Sequence, residues 1–377
     1  MAKRNYFPIN NIKQPLIQVH LADLHFGAMD PQKEYNILVE QVLLPIANMP
    51  FNILAIDGDL FDRKYMANSD PIIWASRFIG DCVNLCISKN ATMIAISGTE
   101  SHDSGQWAIF DYLENSENVD FRIVKSTKFE SVFGYKILCI PEEYGKGEDY
   151  YYKFLDQEYD TVFMHGTLVG GIITAKKENL NANREPVFDI NSFNGCRGPI
   201  IAGHVHSAMC LKGYMYYVSN PIRYKFGEEA EKGYCIVLQN PNGAHYFEFM
   251  PIESFRYDTI RASQIAFSNP KELSAYIDNL QSQGVDHVKL KFDISDDVTF
   301  QIIREYYANN PSVVIENTMK QKISDADTTD EIIKKYEGLD FLMDPSLDEI
   351  NKFIKFINYN EGKDIITIDR LKSILNS

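Results

Sequence analysis

FNILAIDGDLFDR, residues Phe51 to Arg63, begins as a near-continuous apolar run and closes on Gly58-Asp59-Leu60-Phe61-Asp62-Arg63. A short apolar run bounded by turn formers reads as a strand buried on both faces, and such a strand needs a layer on each side. The same plan recurs in LIQVHLAD (Leu16 to Asp23), ATMIAISG (Ala91 to Gly98), YKILCIP (Tyr135 to Pro141), DTVFMHG (Asp160 to Gly166) and PIIAGHVH (Pro199 to His206). It recurs again in the pair YMYYVSN (Tyr214 to Asn220) and YCIVLQN (Tyr234 to Asn240). Helical spacing fills the intervals: Glu34 to Ile46 is one expected helix, and Pro71 to Ser88, with Trp74, Phe78 and Val83 among its apolar positions, is another. Alternation of this kind predicts an α/β fold of stacked layers. Several runs end in Asp, His, Gly or Asn, and the carboxyl ends of strands are where layered α/β folds bind ligands.

The chain has 377 residues, long enough to bury a real core without disulfide or metal staples. Apolar residues make up 45% and charged residues 24%, which excludes wholesale disorder and collagen-like repeats. Lys+Arg 37 against Asp+Glu 52 gives 37 − 52 = −15, so the whole surface cannot wrap nucleic acid, although a local basic groove can. MAKRNYFPINN has no apolar segment behind its basic residues, and no apolar run is long enough for a bilayer; a cytoplasmic protein, with no membrane partner, is expected. Cys82, Cys86, Cys139, Cys196, Cys210 and Cys235 form no CxxC pair and read as reduced thiols. After about Ser254 the pattern changes. Asn269-Pro270 looks like a helix cap and first position, followed by Leu273, Tyr276, Ile277 and Leu280, and by Gly284 as terminator. A strand over Val288 to Ile294, a helix around Asp296 to Ala308 and a strand at Val313 to Glu316 complete a small second α/β domain. The expected organisation is therefore 1–253, 254–319 and a C-terminal 320–377, in which KQKISDADTTD is a linker. Leu347 to Ile357 and Leu371 to Leu375 there mark helices.

Histidine is unevenly placed. Five of the eight, His25, His102, His165, His204 and His206, sit at strand ends beside Gly or Asp. In order the blocks are Asp23-Leu24-His25, Gly58-Asp59-Leu60-Phe61-Asp62, Gly98-Thr99-Glu100-Ser101-His102-Asp103, His165-Gly166, and Gly203-His204-Val205-His206. This donor set holds nitrogen and oxygen and no sulfur, which suits Mn²⁺, Mg²⁺, Fe²⁺ or Zn²⁺. It offers more ligands than one four-coordinate ion uses, so two metals sharing a carboxylate is the economical arrangement, with Asp59 as the candidate bridge. Two such ions can activate a water and neutralise phosphate oxygens during in-line displacement. His102, with Asp103 available to orient it, can then donate a proton to the leaving oxygen.

The blocks resemble the signature of the calcineurin-like metallophosphoesterases: DxH, GDxxD, GNHD, a lone His, then GHxH. Downstream, Ser219-Asn220-Pro221-Ile222-Arg223 leading into Phe226-Gly227-Glu228 and Lys232-Gly233 resembles the nuclease subunit of SbcCD-type DNA repair complexes. The resemblance implies a layered β-sandwich flanked by helices, a capping DNA-binding domain at 254–319 and a homodimer. It also implies a tail that docks the coiled coil of an SbcC-type ABC ATPase. No GxxxxGK[ST] loop occurs in this chain, so nucleotide hydrolysis belongs to that partner. It implies Asp23, His25, Asp59 and His206 on one metal, Asp59, His165 and His204 on the other, and His102 as catalytic histidine, with Mn²⁺ favoured and Mg²⁺ next. One block departs: GTESHD carries two additional residues and puts Ser101 where the family has an Asn ligand, as similar phage-encoded loops do. Ser101 can bind there directly or through water, or Glu100 or Thr99 can replace it. Arg63, Lys64, Arg223 and Lys225 are candidate contacts to a DNA backbone, and Tyr65, Tyr224 and Phe226 could stack on bases or fill the core. The expected activity is two-metal phosphodiester hydrolysis of DNA in recombination or repair. A phosphoesterase acting on small esters or phosphoproteins, or a non-catalytic scaffold, is the alternative.

Overall fold

The structure, a computed structural model, describes residues 13–103, 105–169, 187–228 and 230–319. It divides into a unit ending at Arg256 and a second beginning at Tyr257.

In the first unit one six-stranded sheet runs from edge to edge as His245–Ile252, Lys232–Gln239, Leu16–Leu21, Ile53–Asp57, Thr92–Ile96 and Asp120–Val124. The second runs Met209–Leu211, Met215–Tyr217, Ile200–Gly203, Thr161–His165, Tyr135–Ile140 and Lys128–Val132. Both are mixed, with parallel strands at their centres. They pack face to face: Ile53, Ala55, Ile94 and Ile96 of the first sheet meet Ile137, Cys139, Phe163 and Ile201 of the second in one buried cluster. Alternate residues of the second sheet, including Leu138, Ile140, Val162 and Met164, face the other way, into a separate cluster with Tyr151 and Phe188. The apolar runs read as doubly buried strands for this reason, and the layered sandwich flanked by helices is the architecture expected from the sequence.

The helix expected over Pro71 to Ser88 spans Asp70–Lys89 and buries Ile72, Phe78, Ile79, Cys82, Val83 and Cys86. It ends at Asn90, which adopts the left-handed conformation at φ 59. The earlier helix begins at Pro31, three residues before the expected Glu34, because Asp30 accepts a hydrogen bond from the Lys33 amide (2.8 Å) and Pro31 takes the first position. Its regular winding ends at Leu38 and passes through a π turn, Val39–Leu43, into Leu44–Ala47, where Pro45 lacks an N–H to donate. Cys82 and Cys86 are buried free thiols, and burial pushes Cys86 up to about 12, so they pack rather than react.

The second unit has a parallel three-stranded sheet, Tyr257–Arg261, His287–Phe292 and Val313–Asn317. Helices Pro270–Ser282 and Asp297–Tyr306 place Leu273, Ile277, Phe300 and Ile303 in a core with Leu290 and Phe292. Asn269 accepts from the Glu272 amide as the expected cap. The Tyr257–Arg261 strand was not expected: it lies at the sheet edge, mostly half-buried, and so carries no apolar run to betray it. The helices expected within 320–377 lie outside the described residues. Among the described residues no helix is long and apolar enough to cross a membrane.

Candidate metal centre

The carboxyl ends of the parallel strands in both sheets open onto one place. Asp23 and His25 follow Leu16–Leu21, Asp59 follows Ile53–Asp57, His102 follows Thr92–Ile96, and Glu142 follows Tyr135–Ile140. His165 closes Thr161–His165, and His204 and His206 follow Ile200–Gly203. Beyond the strands the loops stay joined: the amides of Asp23 and His25 donate to the carbonyls of Gly58 and Asp59, both at 3.0 Å. Asp23, His25, Asp59 and His204 all have left-handed backbone, at φ 52, 51, 49 and 89. Each such residue costs about 1–2 kcal/mol, and strain of this kind concentrates where side chains must be aimed at a ligand. Gly58 and Gly98 leave the room required: a Cβ on Gly58 would lie 2.1 Å from His165 Nδ1, and one on Gly98 2.2 Å from Asp59 Oδ1.

Four overlapping groups of donor atoms result: Asp23, His25 and His206; His25, Asp59 and His102; Glu142, His165 and His204; and Asp23, Asp59 and His165. His165 Nε2 is 3.4 Å from Asp59 Oδ2, 3.5 Å from Glu142 Oε2 and 4.0 Å from Asp23 Oδ1, yet it is buried with no hydrogen bond of its own. His25 Nε2 faces His206 Nε2 at 3.2 Å, and each lies 3.9 Å from a carboxylate oxygen, of Asp59 and Asp23 respectively. Most of these N···O separations exceed a good hydrogen bond. The two from His165 Nε2 to Asp59 and Glu142 match the spacing of about 3.4 Å between two ligands that each sit about 2.1 Å from one ion at a tetrahedral angle, and the other three are longer. The buried residues therefore fit a pair of cations, with Asp59 common to two of the groups.

The far side of each imidazole is fixed by the protein. His165 Nδ1 is held by the Asp57 carbonyl at 2.8 Å, and His206 Nδ1 by Glu228 Oε1 at 3.1 Å, which leaves Nε2 of both turned inward. Glu228 also accepts from the Tyr224 amide and lies 3.5 Å from the buried Lys232 ammonium. Against the rise that burial alone would cause, His206 and Lys232 hold its carboxyl down at about 2. Asp57 turns its carboxylate to His20 Nδ1 at 2.7 Å, tying the back of the site to the sheet. Burial raises Asp23 to about 6, whereas at Asp59 the imidazoles of His165, His102 and His25 outweigh burial and hold the carboxyl well below its ordinary value. At His165 the same carboxylates outweigh burial and raise the imidazole. Opposed groups packed this closely share their charge with protons when no cation is between them.

His102 is the least buried of the set, its side chain 26% exposed, with Nδ1 3.0 Å from Asp59 Oδ2. Asp103 makes no hydrogen bond to the His102 ring. The Asp103 carboxylate accepts from the amides of Phe61 (3.2 Å) and Gly98 (2.8 Å) and from the Trp107 indole (3.1 Å), so it secures the loop rather than touching the reaction. Ser101 is exposed in the short helical turn Glu100–Asp103, as is Glu100, and Glu100 joins none of the converging groups. The two additional residues of the loop are taken up by that turn, which carries both side chains outward. Thr99 does reach the centre: its amide is 2.5 Å from Asp59 Oδ1, and its hydroxyl is 3.1 Å from both Asp59 Oδ2 and Glu142 Oε2. Glu142, Glu228 and Lys232 were not singled out from the sequence for the site, and neither was Gln106, which bonds Tyr65 and the carbonyls of Arg63 and His102. Glu142 had one available signal: YKILCIP was an expected strand whose carboxyl end had been given no ligand.

Arg63 and Lys64 are exposed, with Arg63 beside Asp62 at 3.0 Å, and Gln106 ties their loop to the His102 turn. Arg223 is half-buried and Lys225 exposed. Tyr224 packs its ring on His25 and His206 and donates to the carbonyls of Asp23 and Leu24, which makes it a brace for the site.

No protein-family model matches the chain, and no curated protein matches it. Solved structures do. An archaeal phosphodiesterase aligns at a TM-score of 0.30 and 10% identity over 62% of this chain and 99% of its own. The cold-active protein-tyrosine phosphatase of the psychrophile Shewanella sp. aligns at 0.29 and 12% identity, over 62% of this chain and 80% of its own. Likeness at this level decides neither substrate nor reaction, so the chemistry must be argued from the residues.

Proposed function

We propose that the chain is a metal-dependent DNA phosphodiesterase, the nuclease subunit of an SbcCD-like complex acting in recombination or repair. The observation that carries the reading is the meeting of Asp23, His25, Asp59, His165, His204 and His206 in one buried centre, beside a single more exposed imidazole, His102. The sequence likeness from Ser219 to Gly233 supports DNA over a small ester.

When bound, a pair of divalent cations, Mn²⁺ in preference to Mg²⁺, supplies a nucleophile from water at neutral pH and neutralises phosphate oxygens. The chain's own residues do the rest. Asp57 and Glu228 orient His165 and His206 so that neither imidazole must reorganise when the substrate arrives. Asp59 engages His102 Nδ1, which leaves Nε2 as the nitrogen that donates a proton to the leaving oxygen. Arg63, Lys64, Arg223 and Lys225 are assigned to the phosphates flanking the scissile bond, a local basic contact on an acidic chain. An SbcC-type ATPase as partner, docked through 320–377, and a homodimer belong to the same proposal.

The test is incubation with Mn²⁺ and either linear duplex DNA or bis(p-nitrophenyl) phosphate. Metal-dependent digestion of DNA is expected. Hydrolysis of the small ester alone would replace DNA with a small phosphoester, and inertness toward both would leave a scaffold.

A further inference from the structure

Glu142 is buried, and its two carboxylate oxygens have separate neighbours. Oε1 takes the Tyr144 hydroxyl. Oε2 is turned toward His165 Nε2 at 3.5 Å and His204 Nδ1 at 3.6 Å, with the Thr99 hydroxyl at 3.1 Å. The Glu142 amide donates to the Ser97 carbonyl at 3.3 Å, which fixes the residue against the base of the Gly98 to Asp103 loop. That loop was expected to deliver a ligand through Ser101, Glu100 or Thr99; Ser101 and Glu100 are exposed, and Thr99 reaches the centre with its hydroxyl on Asp59 and Glu142 Oε2.

We infer that Glu142 is a direct carboxylate ligand of the second cation, beside His165 and His204, and that it takes the place Ser101 and Glu100 leave, with the Thr99 hydroxyl bonded to its Oε2. This rests on the two-metal reading above. The carboxylate was available because the Tyr135–Ile140 strand is the parallel neighbour of Thr161–His165, with Ile140 paired to Met164, so Glu142 emerges next to His165 by sheet register. A serine hydroxyl or an amide in that place would be neutral. Glutamate adds a third carboxylate to Asp23 and Asp59, so the ligand set offsets more of the charge of two divalent ions and favours hard, oxygen-seeking cations. If Glu142 served only to hold Thr99 and Tyr144, an amide of the same shape would do as well.

The experiment is calorimetric titration of the chelator-treated full chain with Mn²⁺ alone, for the wild type, Glu142→Gln, Glu142→Asp, Ser101→Ala and Glu100→Gln. The wild type is expected to take up two equivalents. In Glu142→Gln one equivalent should keep its affinity and the other weaken by at least about tenfold, the scale on which loss of even an outer partner is felt at metal sites. Glu142→Asp should fall between. Ser101→Ala and Glu100→Gln should titrate as wild type. Thermal melts of the metal-free proteins establish folding, and Glu142→Asp carries the comparison if the amide variant does not melt cooperatively. Two equivalents at unchanged affinity in the folded Glu142 variant, or weakening in Ser101→Ala, overturns the inference. A wild type that binds no Mn²⁺ instead overturns the two-metal reading itself.

Discussion

His102 and Glu34 are both partly or wholly enclosed, and their surroundings assign them opposite kinds of work. His102 reaches solvent, and it meets the centre through Asp59 Oδ2 and an edge-on contact with the His25 ring, so it is placed to serve the substrate rather than to hold an ion. Its replacement by Ala is expected to lower turnover by about 10²–10⁴-fold while both Mn²⁺ ions stay bound. Loss of an ion, counted by mass spectrometry of the desalted protein, would move His102 into the ligand set instead. Glu34 is fully buried one turn into its helix, and burial pushes its carboxyl well above the ordinary value, with Asp62 and Asp30 adding to the rise against the Gly27 amide. Because the folded value exceeds the unfolded one, the folded state binds more protons in the interval between them, and stability falls as pH rises through it. The loss is absent below the unfolded value and complete above the folded one. Within the interval it amounts to about 1.4 kcal/mol per pH unit. Glu34→Gln should therefore gain stability over the wild type in urea unfolding at pH 7 and lose that advantage at pH 4. An advantage equal at both pH values would show that charge is not the cause.

Among the elements, the turn after Thr92–Ile96 is tightly specified, since Gly98 lies where any side chain would strike Asp59. Gly98→Ala is expected to weaken Mn²⁺ at both positions, because Asp59 is common to two donor groups, and to cost about 1–3 kcal/mol of stability through overpacking. Wild-type Mn²⁺ affinity in that variant would contradict the shared role of Asp59. The same turn shows where a linear sequence stops being readable. Buried strands announce themselves as apolar runs, and a His or Asp directly after one is conspicuous, which is why Asp23, His25, Asp59, His165, His204 and His206 could be named from the sequence. Ser101 was named by its place in a motif, but two additional residues coil into a helical turn and swing it outward. Glu142 follows a strand as well, but an acidic residue there is ordinary, and only the pairing of Tyr135–Ile140 with Thr161–His165 makes it special. Sheet register joins residues distant in the chain and leaves no local mark. Tyr257–Arg261 escaped notice for a related reason, an edge strand having little apolar surface to pattern.

At the scale of the whole first unit, two six-stranded sheets exist to bring the carboxyl ends of their central parallel strands to one rim. The inter-sheet core of Ile53, Ile94, Ile137, Phe163 and Ile201 sets the spacing of that rim, so the ligand geometry is a property of the packed sandwich rather than of any one loop. The left-handed backbone at Asp23, His25, Asp59 and His204 is tolerated because that packing is rigid beneath it. The most direct test is anomalous scattering at the manganese edge from crystals grown with Mn²⁺. The account requires two peaks within one cleft, one among Asp23, His25 and His206, the other among Glu142, His165 and His204, with Asp59 reaching both. A single peak, or peaks away from these side chains, would contradict it.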